Sequence, residues 1–414
     1  MLLSRFFLPH LAQLPRQRIA ICASFFIQGL LFATWTSRIP DVRALFHLDN
    51  AQLGLLLLMM SLGQIVGMPF NGWLVTRFGS KRMAITAGYL YGAVIFSLGL
   101  VSAFLPGTTL GRHLFGGILF AGGFISALSY TAVNTQGVQL EKCYGRSIMT
   151  FFHAMWSMAG FVAVGIAMIV GCFHLAPQYH FMGIGLATAI LLTFTGGALR
   201  VDPPFVTTTT ADAKRPSMAW RFTPVMLLLG LTVLGCMLCE GAIYEWNGIW
   251  MRDVVKCLAT QEKTAYMAFL AAMVATRFVT DALVERFGVK TILFFSSLLL
   301  FLGFFIMIAG AQITLGHTPF LMAVIGCASI GIGASTMTPL CCALAGKLKS
   351  MPPGIAIAEI STIGAMGFLI APPVIGVVSK LFNLKVAFGL MGLMAFFTIL
   401  ATLFLFRCKE LKAQ

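Results

Sequence analysis

Two ten-residue stretches reveal how the chain is organised: residues 72–81 are GWLVTRFGSK, and residues 281–290 are DALVERFGVK. The two stretches are identical at six of ten positions, with a constant offset of 209 residues. Each follows a long apolar segment, so the repeat relates two turns at equivalent places in the chain. Internal repeats of this kind are typical of membrane transport proteins built from two copies of one unit. The pattern therefore predicts a duplicated bundle.

The composition agrees with a membrane location. The 414 residues are 59% hydrophobic and only 10% charged, and the mean hydropathy is +0.92. Soluble domains carry about 25% charged residues, which they need to cover a surface in water. This composition excludes a soluble enzyme, a nucleic-acid-binding domain and a disordered scaffold.

The apolar stretches predict an all-α protein with twelve membrane-spanning helices, each long enough to cross a bilayer. The first six fall at residues 19–40, 51–76, 83–105, 110–138, 147–170 and 179–199. The second six fall at residues 223–250, 264–284, 288–310, 318–345, 355–380 and 384–406. Because the number is even, both termini lie on the same side of the membrane.

The net charge of +15 is explained by its distribution over the loops. Of the 28 Lys and Arg residues, 19 fall on the side of the termini, 8 fall on the opposite side, and Arg277 lies inside a span. Cytoplasmic loops carry the excess of basic residues, so both termini are predicted to be cytoplasmic. The charge is a sign of topology and not of nucleic-acid binding.

One long polar break divides the chain. It contains Asp202, Pro203 and Pro204, a run of four threonines at 207–210, and Pro216. We expect an N-terminal six-helix bundle over residues 1–200, a cytoplasmic linker over 201–221 and a C-terminal six-helix bundle over 222–414.

The chain resembles the major facilitator superfamily in this layout and in the loop motif at 72–81. Within that superfamily it is most similar to the bacterial YbjJ-type group. The resemblance implies two pseudo-symmetric six-helix bundles that rock around a central cavity, in a monomer of the bacterial inner membrane. The group resemblance rests on residues 35–40, 134–136, 153–157, 240–246 and 367–376, which include Trp35, Asn134, His153, Glu240 and Pro372.

The same resemblance assigns a gating role to the repeated turns. The family motif has an aspartate where this chain has Thr76, whereas the second copy keeps an acid at Glu285. This change predicts a cytoplasmic gate that depends on other groups, or one that is weaker. Ordinary solvated loop charges are the alternative interpretation. The candidate gating residues are Gly72, Arg77, Gly79, Lys81, Asp281, Glu285 and Arg286.

Ionisable side chains inside spans are the candidates for function, since each costs about 2.5–3.5 kcal/mol to insert and therefore usually faces a cavity or a partner. Glu240 and Tyr244 are four residues apart and share a helix face. The candidates for proton coupling are His153, Glu240, Glu245 and Glu359. The candidates for substrate binding are Gln28, Trp35, Asn134, Trp156, Glu240, Tyr244, Glu245, Trp246 and Arg277.

Structural roles remain open for several of these residues. Arg277 and Asp281 are four residues apart and have the spacing of a self-neutralising pair on one helix. His153 could instead pack between helices, and the acids could form hydrogen bonds with neighbouring helices. Gln28 and Asn134 could likewise form hydrogen bonds between helices.

Together these patterns predict a secondary active transporter for a small organic solute, coupled to protons, with a sugar-like substrate favoured. Drug or metabolite efflux by the same fold is one alternative, and a membrane sensor that binds a ligand without moving it is another. No phosphate-binding loop, nucleophile–base pair or clustered metal ligands are present in the sequence, and Cys236 and Cys239 lack a second ligand pair. We expect no enzymatic activity, no cofactor and no metal, with the lipid bilayer, the solute and protons as partners.

Overall fold

A computed structural model describes residues 4–144, 148–200, 223–313, 316–348 and 353–408. This part of the chain is helical and contains no strand. The predicted linker at 201–221 lies outside the described residues. The helices are α1 (Ser4–Thr36), α2 (Ile39–Leu45), α3 (Asn50–Phe78), α4 (Ser80–Phe104), α5 (Thr109–Tyr144), α6 (Met149–Cys172), α7 (Pro177–Thr195), α8 (Pro224–Trp250), α9 (Thr264–Gly310), α10 (Thr318–Gly346), α11 (Pro353–Leu381) and α12 (Leu384–Leu405).

The membrane spans agree with the hydropathy pattern. Among the described residues, eleven helices are long and apolar enough to cross a bilayer, and the apolar segment Thr264–Thr280 is shorter. The all-helical fold class is therefore confirmed, with the first half of the chain contributing α1 to α7 and the second half α8 to α12.

The first predicted span is wrong at its C-terminal boundary. The prediction continued this helix to residue 40, but α1 ends at Thr36 and the short helix α2 begins at Ile39. Pro40 lies in the first turn of α2. Proline has no backbone N–H to donate to the preceding turn, so it starts a helix more readily than it continues one.

The predicted helices at 264–284 and 288–310 correspond to the two parts of α9, which is broken by non-helical backbone at Gly288. Gly288 has φ 79° and ψ 153°, and Gly79, 209 residues earlier, has φ 87° and ψ 143°. Side chains other than hydrogen rarely tolerate this backbone region. The two repeated turns therefore share an unusual conformation as well as a sequence, which supports the predicted duplication.

The two halves of the chain approach closely at one end of the bundle. We call this the outer end; it carries α2 and residues 251–263, and the opposite, inner end carries Gly79 and Gly288. A methyl group added to Gly54 on α3 would lie 2.7 Å from the carbonyl oxygen of Pro372 on α11. Glycine at 54, facing Gly376, lets these two backbones pack directly across the halves.

Candidate functional site

A polar cluster lies between the two halves, among the apolar helices of the bundle. Its centre is the half-buried side chain of Arg277 on α9, which donates a hydrogen bond to the hydroxyl of Ser157 on α6. The charge of Arg277 also acts on His153, Tyr130 and Glu240. We refer to these five residues as the central polar cluster; three of them come from the first half of the chain and two from the second.

Glu240 and Tyr244 are adjacent on one face of α8, as their spacing predicts. The Glu240 side chain is only 6% exposed, and its carboxyl interacts with the Tyr244 hydroxyl. That hydroxyl also lies 3.7 Å from the sulfur of Met273 on α9. The carboxyl is thus shielded, with a single hydroxyl and a nearby guanidinium as its polar surroundings.

Tyr244 is the hub of a layer of rings on the outer side of the polar cluster. Its ring centroid lies 5.4 Å from that of Phe32 and 6.3 Å from that of Trp156, both in the first half of the chain. Ring pairs at such separations attract each other beyond the burial of their apolar area. The aromatic layer consists of Phe32, Trp156, Tyr244, Tyr266, Phe269 and Phe368.

The sequence prediction included Trp156 and Tyr244 but missed the other four members of this layer. The chain has 37 phenylalanines and 7 tyrosines, and nothing in the local sequence distinguishes Phe32, Tyr266, Phe269 or Phe368 from the rest. The nearest available signal is Tyr266, because a tyrosine hydroxyl inside an apolar helix needs a partner. Its hydroxyl lies 2.9 Å from that of Thr36, in the other half of the chain.

Glu245 and Trp246 lie on α8 outward of Tyr244 and are buried, with 5% and 0% exposure. One carboxylate oxygen of Glu245 and the indole nitrogen of Trp246 have no hydrogen-bond partner among the described residues. Glu245 acts electrostatically on Tyr266 in the aromatic layer. The structure thus places Glu245 next to the aromatic layer, beyond the central polar cluster.

Three predicted substrate-binding residues make contacts within the first half of the chain. The Gln28 amide donates to the Ser129 hydroxyl at 3.0 Å, which is one of the interhelical bonds that the sequence left open. Trp35 is 1% exposed, and its ring lies 5.6 Å from that of Phe115. Asn134 donates to the carbonyl oxygen of Tyr130 at 2.7 Å, along its own helix.

The two remaining candidates for proton coupling occupy different positions. The His153 ring packs edge-on against Phe25 at 5.2 Å and lies 6.2 Å from Tyr130, so it has both a packing contact and a place in the polar cluster. Glu359 is half-buried in the first turns of α11.

The repeated turns at the inner end hold the predicted gating residues. Lys81 donates to the carbonyl oxygen of Gly197 at 2.8 Å, which ties the first turn to the single helical turn that follows α7. Arg77, Glu285 and Arg286 are exposed, and Arg286 lies over the ring of Phe287. A methyl group added to Gly72 would meet no atom within 4 Å. The side chain of Asp281 lies outside the described residues.

Ion pairs close the outer end, and the sequence did not predict them. Arg252, just after α8, contacts Asp41 at 3.1 Å and Glu262 at 2.8 Å, and also donates to the carbonyl oxygen of Pro40 at 2.8 Å. Arg43 pairs with Asp253. These five charged residues, Asp41, Arg43, Arg252, Asp253 and Glu262, form what we call the outer ion cluster, which joins α2 to the second half of the chain.

Burial and neighbouring charges set the titration of this cluster. Burial raises the pKa of Glu262, and the nearby Arg252 and Lys263 only partly offset the effect. Burial also opposes ionisation of Asp41, but Lys263, Arg38 and Arg252 together hold the pKa of Asp41 below its usual 3.8. Burial lowers the pKa of Lys263. The pKa values of the two acids are therefore shifted in opposite directions.

Comparison with known proteins supports the fold and the general class. Residues 259–413 match the model of the Major Facilitator Superfamily. A curated relative in Sinorhizobium fredii, the uncharacterized transporter y4wD, is 29% identical over 380 residues, which cover 91% of this chain and 94% of the relative.

Solved transporter structures share the fold over most of the chain. A mutant form of the nucleoside transporter NupG superposes with a TM-score of 0.74 at 12% identity, covering 94% of this chain and all of that one. The xylose transporter XylE from E. coli, in a partially occluded inward-open conformation, superposes with a TM-score of 0.73 at 12% identity. The match covers 96% of this chain and 99% of that one. The predicted major facilitator fold is confirmed, and these matches are to transporters rather than enzymes, as predicted.

Proposed function

Because the fold and the relatives support a membrane transporter of the major facilitator superfamily, we propose that this chain moves a small organic solute by secondary active transport with alternating access. The main support for this proposal is the hydrogen bond between Arg277 and Ser157, which joins the two halves of the chain. It lies beneath the aromatic layer, to which both halves contribute side chains. A solute bound there touches both halves at once. Its binding free energy can therefore favour one relative position of the halves over another.

The proposed solute is sugar-like. The central polar cluster offers a guanidinium, hydroxyls and a carboxyl for hydrogen bonds, and Tyr244 and Trp156 offer ring faces for an apolar side of the solute. Small-molecule sites commonly combine such apolar walls with a few polar groups that fix orientation. Two of the solved structures that share this fold are transporters of a nucleoside and of xylose, both of which contain sugar rings.

Proton coupling is part of the same proposal. A carboxyl shielded from water and lying near a cation changes its charge when its surroundings change, and rocking of the halves changes them. Glu240 is the carboxyl of the central polar cluster, and it is 6% exposed. Glu245, His153 and Glu359 are the further proton-carrying candidates.

The contacts at the outer end support the conformational state that we propose, and the excess of basic residues supports the proposed topology. With both termini in the cytoplasm of a bacterial cell, the outer ion cluster lies on the side away from the cytoplasm. In this conformation the cluster closes the path between the two halves on that side. Transport then requires this cluster to separate. The division into bundles at 1–200 and 222–414, the cytoplasmic linker, the inner membrane, the monomeric state and the YbjJ-type group belong to this proposal.

The test is solute uptake by the purified chain in proteoliposomes, with and without an imposed pH gradient, using D-glucose, D-glucosamine and D-glucuronate. We expect at least one solute to accumulate above its equilibrium level only when the gradient is present. Accumulation without dependence on the gradient rejects proton coupling. Binding without any flux rejects transport and favours a sensor, and expulsion of the solute against its gradient favours efflux.

A further inference from the structure

Within the described part of the chain, no acidic side chain neutralises the positive charge of Arg277 by direct contact. Its hydrogen-bond partner is the neutral hydroxyl of Ser157. Among the side chains that the structure describes, no carboxylate oxygen lies within 4.0 Å of the guanidinium, and Glu240 acts on it only at longer range. A charged group at membrane depth normally pairs with an opposite charge or faces a cavity.

Most N–H groups of the Arg277 guanidinium have no hydrogen-bond partner among the described residues. An arginine side chain offers five N–H groups in a planar fork, and Ser157 accepts from one nitrogen only. The fork matches a carboxylate, which accepts two parallel hydrogen bonds from it. A neutral hydroxyl of a sugar satisfies one N–H at a time and leaves the charge uncompensated.

The groups around Arg277 favour an anion over a cation. His153 and Tyr130 lie on the side of the first half of the chain and offer a ring N–H and a hydroxyl as additional donors. The one carboxyl of the cluster, Glu240, is shielded at 6% exposure, whereas Arg277 is half-buried. An arriving solute group therefore meets the cation before the acid.

From this arrangement we infer that the transported solute carries a carboxylate, which Arg277 holds in bidentate fashion, and a ring that packs against Tyr244 and Trp156. A sugar acid has this chemistry, since it combines a pyranose ring with one carboxylate. The inference rests on the proposed function and narrows its substrate class to organic anions.

The inference gives Glu240 a defined part in coupling. An ionised Glu240 repels a second carboxylate in the same cluster, so the anion binds best after Glu240 has taken up one proton from water. The proton and the anion then cross together and leave together, and Glu240 is again ionised. One monovalent anion and one proton carry no net charge across the membrane.

The experiment compares solutes that differ in charge but share a ring. The first series is D-glucuronate, D-glucose and D-glucosamine, and the second is benzoate, benzyl alcohol and benzylamine. Binding to the full-length protein is measured by quenching of tryptophan fluorescence, for which Trp156 lies in the site, and by the shift of the thermal midpoint. In at least one series we expect the anion to bind about tenfold more tightly than its neutral counterpart, which corresponds to about 1.4 kcal/mol.

Two variants of Arg277 separate charge from fold. Arg277→Gln should abolish the preference for the anion, whereas Arg277→Lys keeps the charge but loses the fork, and should retain a preference with weaker binding. The inference is overturned when a neutral or cationic member binds as well as the anion in both series, when none of the six solutes binds, or when Arg277→Gln keeps the preference. Binding of the anion without flux would instead contradict the proposed transport and leave the preference for an anion standing.

Discussion

The guanidinium of Arg277 on α9 donates a hydrogen bond to the hydroxyl of Ser157 on α6, and these two residues belong to opposite halves of the chain. The bond lies beneath the aromatic layer and away from the outer ion cluster. When the two halves move relative to each other, this hydrogen bond must change, and with it the position of the guanidinium that we propose to bind the solute.

Replacing Ser157 by alanine removes the acceptor and leaves Arg277 in place. Hydrogen bonds between helices in membranes contribute about 0.6 kcal/mol, so the half-saturating concentration of the transported solute should rise about threefold as the guanidinium loses its orientation. The matched control is Thr276→Ala, since the Thr276 hydroxyl bonds to Ala272 of its own helix at 2.8 Å. Equal transport by the two variants would show that Ser157 does not orient Arg277.

Arg252→Gln should open the outer end. The change removes the contacts to Asp41 and Glu262 and the bond to Pro40, and it leaves the 3% exposed Glu262 without its ion-pair partner. Hydrogen bonds to charged groups contribute about 1.5–3 kcal/mol, so we expect the closed conformation to lose about 2 kcal/mol. Faster hydrogen–deuterium exchange over residues 39–45 and 251–263 would report this loss.

The control for Arg252→Gln is Arg112→Gln. Arg112 is predicted to lie on the same side of the membrane as Arg252, but it is not a member of the outer ion cluster. Its exchange over the same segments should match that of the unmodified protein. A change in Arg112→Gln as large as that in Arg252→Gln would mean that overall charge, and not the cluster, controls opening.

Glu262 should make closure of the outer end depend on pH. Its pKa is raised by burial in the closed conformation and returns toward its ordinary 4.5 when opening exposes it to water. The closed conformation therefore binds a proton more readily, and its stability increases as the pH falls from neutrality toward 4.5 and decreases as the pH rises. Asp41, whose pKa is held below 3.8, stays ionised throughout this range.

The measurement is hydrogen–deuterium exchange of residues 39–45 between pH 7 and pH 5, corrected for the intrinsic effect of pH on exchange. Protection should increase on acidification in the unmodified protein. Glu262→Gln should remove this response, while Asp49→Asn, at an exposed pair with Lys380, should keep it. A loss of protection on acidification would reverse the sign that we derive.

The turn at Gly288 should not tolerate a side chain, although there is space for one. A methyl group at this position meets no atom within 4 Å, so any cost of Gly288→Ala comes from the backbone at φ 79°. Such conformations cost about 1–3 kcal/mol for residues other than glycine. The thermal midpoint in detergent should fall, and Gly79→Ala should behave in the same way.

Gly72→Ala is the control for these turns, because Gly72 lies inside α3 and also has no atom within 4 Å of an added methyl. Alanine favours the helical conformation over glycine by about 1 kcal/mol, so this variant should be as stable as the parent or slightly more stable. If Gly72→Ala lowered the thermal midpoint while Gly288→Ala and Gly79→Ala did not, the backbone conformation would not be the cause of the loss.

The sequence predicted the fold well because membrane spans depend on local composition. Each apolar run is long enough to identify a helix by itself, and the repeated turns at Gly79 and Gly288 reveal the duplication. The error at the end of the first span occurs where a single backbone feature, Pro40, changes the direction of the chain. Hydropathy does not register such features.

The site was predictable only in part. Arg277, Glu240 and Tyr244 stand out because charged or polar groups are rare in apolar helices, and the structure brings them together. Trp35 shares the same helix as Phe32, yet it packs inside the first half of the chain while Phe32 joins the aromatic layer. The pair Arg252 and Asp41 is separated by 211 residues, and one sequence alone does not show which distant charges meet.

Whether Glu240 couples the proton to the solute is tested by comparing proton-driven accumulation by Glu240→Gln with exchange by the same variant. Proteoliposomes loaded with unlabelled D-glucuronate measure exchange of the labelled solute without any need for a proton gradient. We predict that Glu240→Gln, which is permanently neutral at this position, keeps exchange and loses accumulation driven by an imposed pH gradient. Accumulation equal to that of the unmodified protein would contradict the proposed role of Glu240 in coupling the proton to the solute.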